Sequence, residues 1–172
     1  MRYQALGFEM FNDGPSADGY FHVNMCCMTM LDEIVQIDDD GHLYLSAAIN
    51  DWKPILDRGI DTVIDLEGDI DRGVPTKIDQ FLYVYLPIHD GQMPDLDRLH
   101  AVAKMCASLI QRGDRVLSHC GLGLNRSALM VGLILMYLGM DATSAVQRIQ
   151  QRRPGSLYNT AFRDYLLSGL VK

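Results

Sequence analysis

Apolar residues recur along this chain with two periods, and the changes between them mark where it is expected to turn. Ile34-Val35-Gln36-Ile37 and His42-Leu43-Tyr44-Leu45 read as two strands on either side of Asp38-Asp39-Asp40-Gly41, a run of turn formers. Three consecutive aspartates also raise a calcium loop, but the alternating spacing and the closing Glu of such a loop are missing, so a turn is expected. Thr62-Val63-Ile64-Asp65-Leu66, the run from Phe81 to Leu86, and Val116-Leu117-Ser118 are short and mostly apolar, as buried strands are. Asn50 is placed to cap a short helix reaching Arg58, with Gly59 at its end. Over 95–111 apolar residues recur at Leu96, Leu99, Val102, Ala103, Met105 and Cys106, a helical period, and Gly113 follows. The stretch 127–138 is apolar on nearly every side and predicts a buried helix that Gly139 stops. Helices over about 141–152 and 160–170, parted by Pro154-Gly155, complete the chain. Strands alternating with helices predict an α/β fold: a single domain whose central, mostly parallel mixed sheet is flanked by helices.

With 172 residues and 48% hydrophobic content, the chain can bury one substantial core. Residues 12–19 are dense in turn formers, so 1–30 are expected to form a loosely attached arm and 31–172 the folded domain. The formal charge of -7 disfavours a broad attraction to nucleic acid or to an anionic membrane, and any anion site has to be local. The N-terminus has no apolar run of signal-peptide length, and the longest apolar run, Ala128 to Leu138, falls short of the roughly 20 residues a spanning helix needs. A cytoplasmic protein without membrane partners is the expectation. The four cysteines, Cys26, Cys27, Cys106 and Cys120, have neither zinc-site spacing nor a secreted disulfide pattern, so reduced thiols are expected. Met25, Met28 and Met30 read as core filler.

Chemistry concentrates in His119-Cys120-Gly121-Leu122-Gly123-Leu124-Asn125-Arg126-Ser127, between a short apolar strand and a buried helix. A turn in that position presents backbone N–H groups at a helix N-terminus, where anions bind. The glycines let the backbone curl so that the amides of Gly121, Leu122, Gly123, Leu124 and Asn125 can converge on a phosphate, and Arg126 adds a planar fork for two of its oxygens. The same positive field should stabilise a thiolate on Cys120 and make it a nucleophile at neutral pH. Ser127 can donate its hydroxyl to the sulfur and ease its departure, while His119 is better placed to order the loop than to act as a base.

His-Cys, five intervening residues, then Arg-Ser resembles the signature of the protein tyrosine phosphatase superfamily, in its small dual-specificity branch. Leu43 to Ala48, Gly59 to Leu66 and Arg152-Arg153-Pro154-Gly155 resemble stretches that this branch carries in the same order, so the likeness covers about 31–171. It implies a dual-specificity-phosphatase-like fold and an aspartate some thirty residues before the cysteine that protonates the leaving group. Leu86-Pro87-Ile88-His89-Asp90-Gly91 matches the segment bearing it, which makes Asp90 the expected general acid, ahead of Asp95, whose place is that of a helix N-cap. The implied reaction is hydrolysis of phosphate monoesters through a phosphocysteine on Cys120, with no metal and no cofactor.

The loop interior lacks the lysines that phosphoinositide-directed members of the superfamily carry, which leaves a phosphorylated protein, phosphotyrosine first and phosphoserine or phosphothreonine next, as the expected substrate. Gly123-Leu124-Asn125-Arg126 also resembles the loop of RNA 5'-triphosphatases, the main alternative, beside a phosphoinositide phosphatase or a non-catalytic phosphate-binding module. The acidic chain argues against RNA, and the presence of Cys120, Arg126 and Asp90 argues against an idle module. Asn159 reads as the N-cap of the last helix, Arg152-Arg153 as charges that complement a helix end and face solvent, and the acid-rich segment 67–80 as a rim for the pocket.

Overall fold

A computed structural model describes residues 33–169. The expected N-terminal arm, with Cys26, Cys27, Met25, Met28 and Met30, lies outside the described residues.

A five-stranded sheet forms the centre, ordered β1-β2-β5-β3-β4, from β1 (Val35–Gln36), β2 (Leu43–Ser46), β3 (Thr62–Asp65), β4 (Leu82–Tyr85) and β5 (Val116–His119). β2, β5, β3 and β4 run parallel, and β1 pairs antiparallel with β2, so the sheet is mixed and largely parallel, as the alternating pattern predicted. Side-chain alternation divides it into two faces. Leu43, Leu45, Ile64 and Val116 pack under α2 (Leu96–Gln111), α3 (Arg126–Tyr137), α4 (Ala142–Arg152) and α5 (Thr160–Leu167). Their neighbours Tyr44, Val63 and Leu117 face the other way, onto a smaller layer formed by Ile55 of α1 (Lys53–Asp57) with Ile60, Trp52, Phe81 and Tyr83. Among the described residues no helix is long and apolar enough to cross a membrane.

β5 is the innermost strand, and its C-terminal residue His119 lies in register with Ser46 of β2 and Asp65 of β3. The carboxyl ends of three parallel strands are therefore level where β5 hands over to α3, the position at which open α/β sheets bind ligands. α3 is the helix read as apolar on nearly every side, and its residues from Ser127 to Leu135 are all buried. Gly132 permits this, because a Cβ there would meet Leu166 of α5 at 2.6 Å.

Several boundaries differ from the sequence expectation. Asn50 does not cap α1; Trp52 occupies that position without a side-chain cap, Pro54 lies in the first turn, and the Asp51 carboxylate accepts the Lys53 N–H at 2.9 Å. The strand expected over 34–37 shortens to Val35–Gln36, and the last helix ends at Leu167. The Asp38–Gly41 segment is a turn tied by its own acids: Asp38 accepts the N–H groups of His42 and Leu43, and Asp39 pairs with Arg148 and Arg152 of α4.

Candidate active site

Residues 120–125 span the gap between β5 and α3, and their carbonyls are held from outside. The Gly121 carbonyl accepts the Ala48 N–H at 3.3 Å, the Leu122 carbonyl accepts Arg153 Nη2 at 3.0 Å, and the Leu124 carbonyl accepts the Leu157 N–H at 2.8 Å. In a trans peptide the C=O of one residue and the N–H of the next point in opposite directions. Anchoring those carbonyls outward therefore turns the N–H groups of Leu122, Gly123 and Asn125 toward the inside of the curve. Gly123 has to be glycine for this path: its φ is 64°, and a Cβ would stand 2.4 Å from the backbone oxygen of Ser46.

Cys120 lies at the start of the curve, 2% exposed, with its Sγ 3.3 Å from the hydroxyl of Ser127 in the first turn of α3. Arg126 reaches back over the sheet edge. Its Nη1 donates to the carbonyls of Leu66 at 3.2 Å and Ile88 at 3.4 Å, and its Nη2 donates to the Glu67 carboxylate at 2.9 Å. Its Nε, buried, meets no acceptor among the described residues. Burial is the largest influence on the Glu67 carboxyl and would raise it, but the hydrogen bond and charge of Arg126 together with the backbone N–H groups of Gly68 and Gly121 outweigh burial and hold the group below its usual range. Burial likewise works against the Arg126 cation, and Glu67, with the charges of Cys120 and Asp90, overcomes it and pushes the guanidinium up.

His119 is fully buried beneath the loop. Its Nε2 lies 2.9 Å from Asp71 and 3.6 Å from Asp65, a charge-to-ring approach without the direction of a hydrogen bond. The Tyr83 hydroxyl sits between the two acids, donating to Asp65 and accepting the Asp71 N–H at 3.0 Å. Burial first, and then the carboxylates, push that phenol far above its ordinary value, so it remains a donor. Asp65, Asp71 and His119 bring one ligand atom each within 4.8 Å of one another. Asp65 is already engaged by Tyr83 and by the Glu67 N–H at 2.8 Å, which accounts for the group as a hydrogen-bonded buttress under the loop.

Asp90, on the loop after β4, receives the Asn125 side-chain N–H at 3.2 Å, whereas Asp95 caps α2 by accepting the Arg98 N–H. The structure thus brings Cys120, Arg126, Ser127 and Asp90 to one loop and leaves Asp95 outside it. Tyr158 and Leu122 stand at the mouth, 53% and 51% exposed. Tyr158 lies between Leu157 and Asn159, whose backbone N–H groups bond the loop at Leu124 and Asn125, and desolvation first, then the charge of Asp90, pushes its phenol up. Cys106 is buried in the core, where desolvation pushes its thiol up to about 12 and keeps it protonated.

Sequence reading placed Glu67 and Asp71 only within the rim segment 67–80, without a role of their own, and did not single out Tyr83. The signal for Asp65 was visible, an acid inside an otherwise apolar strand, but its partners come from other elements. Arg153 is a correction. It was expected to face solvent at a helix end, yet it is 4% exposed and donates to the carbonyls of Leu122 and Glu33. Arg152 alone stays at the surface, paired with Asp39.

A family model for the dual specificity phosphatase catalytic domain matches residues 43–169, which contain the whole constellation. The chain belongs to the dual specificity phosphatase family. Solved structures agree on the fold of this phosphatase domain. Tk-PTP in its active form is 24% identical, with a TM-score of 0.61 over 78% of this chain and 96% of that one. The human tyrosine phosphatase-like serine/threonine/tyrosine-interacting protein is 25% identical, with a TM-score of 0.63 over 78% and 93%. DUSP15, 20% identical, superposes with a TM-score of 0.68 over 80% and 88%. No curated protein sequence matches this phosphatase chain.

Proposed function

We propose that this dual specificity phosphatase domain hydrolyses phosphate monoesters through a phosphocysteine on Cys120, with phosphotyrosine in a protein as the first substrate. The observation that carries this reading is the Arg126 guanidinium. Its Nε is a buried donor with no acceptor among the described residues, at the N-terminus of α3 beside inward-turned amides, and a buried donor of that kind calls for an anion. The Cys120 thiolate attacks phosphorus in line as Asp90 protonates the departing oxygen. Arg126 and the amides of Gly121, Leu122, Gly123, Leu124 and Asn125 hold the equatorial oxygens. Water, deprotonated by Asp90, then releases phosphate while the Ser127 hydroxyl, 3.3 Å from Sγ, stabilises the returning thiolate. His119 supports the loop from below.

Two features favour an aryl monoester over a polyphosphate. Tyr158 and Leu122 at the mouth suit an aromatic ring, and Glu67 beside Arg126 adds negative charge where a triphosphate would need none. With p-nitrophenyl phosphate, Cys120→Ser is expected to abolish turnover and Asp90→Ala to lower kcat by about 10²-fold. An active Cys120→Ser protein would sink the proposal. A phosphotyrosine peptide should be hydrolysed faster than a phosphothreonine peptide, a phosphoinositide or a triphosphorylated RNA end under one condition; preference for the RNA end would reverse the substrate assignment.

A further inference from the structure

Asn125 occupies the N-cap position of α3, where an Asn side chain ordinarily accepts an N–H from the first turn, yet it makes no such bond. Its side chain, on a residue 2% exposed, is spent elsewhere. Oδ1 accepts the backbone N–H of Asn159 at 3.0 Å, and Nδ2 donates to Asp90 Oδ2 at 3.2 Å. Asn159 is itself fixed, because its carboxamide caps α5 by accepting the N–H groups of Ala161 and Phe162, and Phe162 is fully buried in the core.

This chain of bonds decides which end of the Asn125 amide faces Asp90. The Asn159 N–H can only donate, so it must meet Oδ1, and the NH2 group is left facing the carboxyl. The carbonyl oxygen of a protonated carboxyl is a better acceptor than its hydroxyl oxygen, so a donor at Oδ2 favours Oδ1 as the oxygen that carries the proton of Asp90. We infer that Asn125 is a positioning residue for Asp90: it ties the carboxyl to the core through α5 and selects Oδ1 as the oxygen that exchanges the proton. The inference rests on the phosphatase reading. In the first step the Oδ1–H bond breaks, the proton passes to the leaving oxygen, and the P–O bond to that oxygen breaks as the S–P bond forms. In the second step a proton from water returns to Oδ1 as the water oxygen bonds to phosphorus and the S–P bond breaks. Throughout, Oδ2 keeps its bond to Asn125.

A residue acting through the general acid matters most when the leaving group is poor, and that separates this role from simple support of the loop. Asn125→Asp keeps an oxygen for the Asn159 N–H while deleting the donor to Asp90; Asn125→Ala deletes both. With p-nitrophenyl phosphate, each variant is expected to lose less than about 10-fold in kcat, and with phenyl phosphate, whose leaving group is poorer, about 10²-fold. Adding Asn125→Ala to Asp90→Ala should cost nothing more than Asp90→Ala alone, since the two act as a unit. For Asn125→Ala, which keeps the backbone N–H and adds no charge, inhibition by inorganic phosphate should stay within about twofold of the wild type. Equal losses on both esters, or additive losses in the double variant, overturn the inference while leaving the phosphatase reading intact. A wild-type protein that hydrolyses neither ester removes that reading and this role with it.

Discussion

A methyl group on Gly123 would meet the backbone of β2, which has no rotamer with which to retreat, and φ of 64° is strained for any residue with a Cβ. Gly123→Ala is therefore expected to deform the loop rather than merely crowd it, lowering kcat/KM by about 10²-fold, as displacements of about 1 Å do in catalytic constellations. Steady-state kinetics on an aryl phosphate check this, and near-wild-type activity would show that the loop can relax around the methyl. At this scale Cys120, Arg126 and the glycines between them were readable from spacing as parts of one loop, because they are neighbours along the chain. Glu67 was not. Its bond to Arg126 joins residues 59 positions apart, and no local pattern marks one acid of an acid-rich segment as the one that reaches back.

α2, α3 and α5 meet at His100, which stands between the hydroxyls of Tyr137 and Tyr165. Only a neutral imidazole can accept from one tyrosine and donate to the other. Desolvation, with the nearby Lys104 charge second, holds the His100 pKa below its ordinary 6.5. Because the folded value is depressed, protonation favours the unfolded chain. The stability that neutral His100 contributes is complete above pH 6.5 and is lost as pH falls through and below that value. Glutamine also offers one donor and one acceptor but does not titrate. Between pH 7.5 and 5.5 the wild type is expected to lose about 1–2 °C more in Tm than His100→Gln. Thermal melts at the two pH values test this, and parallel losses would remove His100 as the cause. The helices themselves were legible from their 3.6-residue period, whereas the meeting of three of them at one imidazole was not.

Arg153 acts over the whole molecule. Its buried guanidinium joins the end of α4 to the Leu122 carbonyl of the loop and to the Glu33 carbonyl ahead of β1. Removing it deletes two hydrogen bonds from a charged, buried donor, so Arg153→Met should cost about 3 kcal/mol and lower Tm by about 6–12 °C. A melt within about 2 °C of the wild type would mean that neither bond contributes. Alternating periods and apolar runs already determined that this is an α/β chain with a buried helix behind a Cys-to-Arg loop, since each is a property of neighbours along the sequence. The mixed sheet, with β5 inserted between β2 and β3, is what brings Ser46, Asp65 and His119 level. Only that packing decided that Glu67 would meet Arg126, that Asp71 would lie against His119, and that Asn125 would turn from its helix to Asp90. Those choices rest on hydrogen bonds and charges between residues far apart in sequence. Such bonds are made only once the backbone has brought their partners to within about 3 Å, a range that no spacing along the chain encodes.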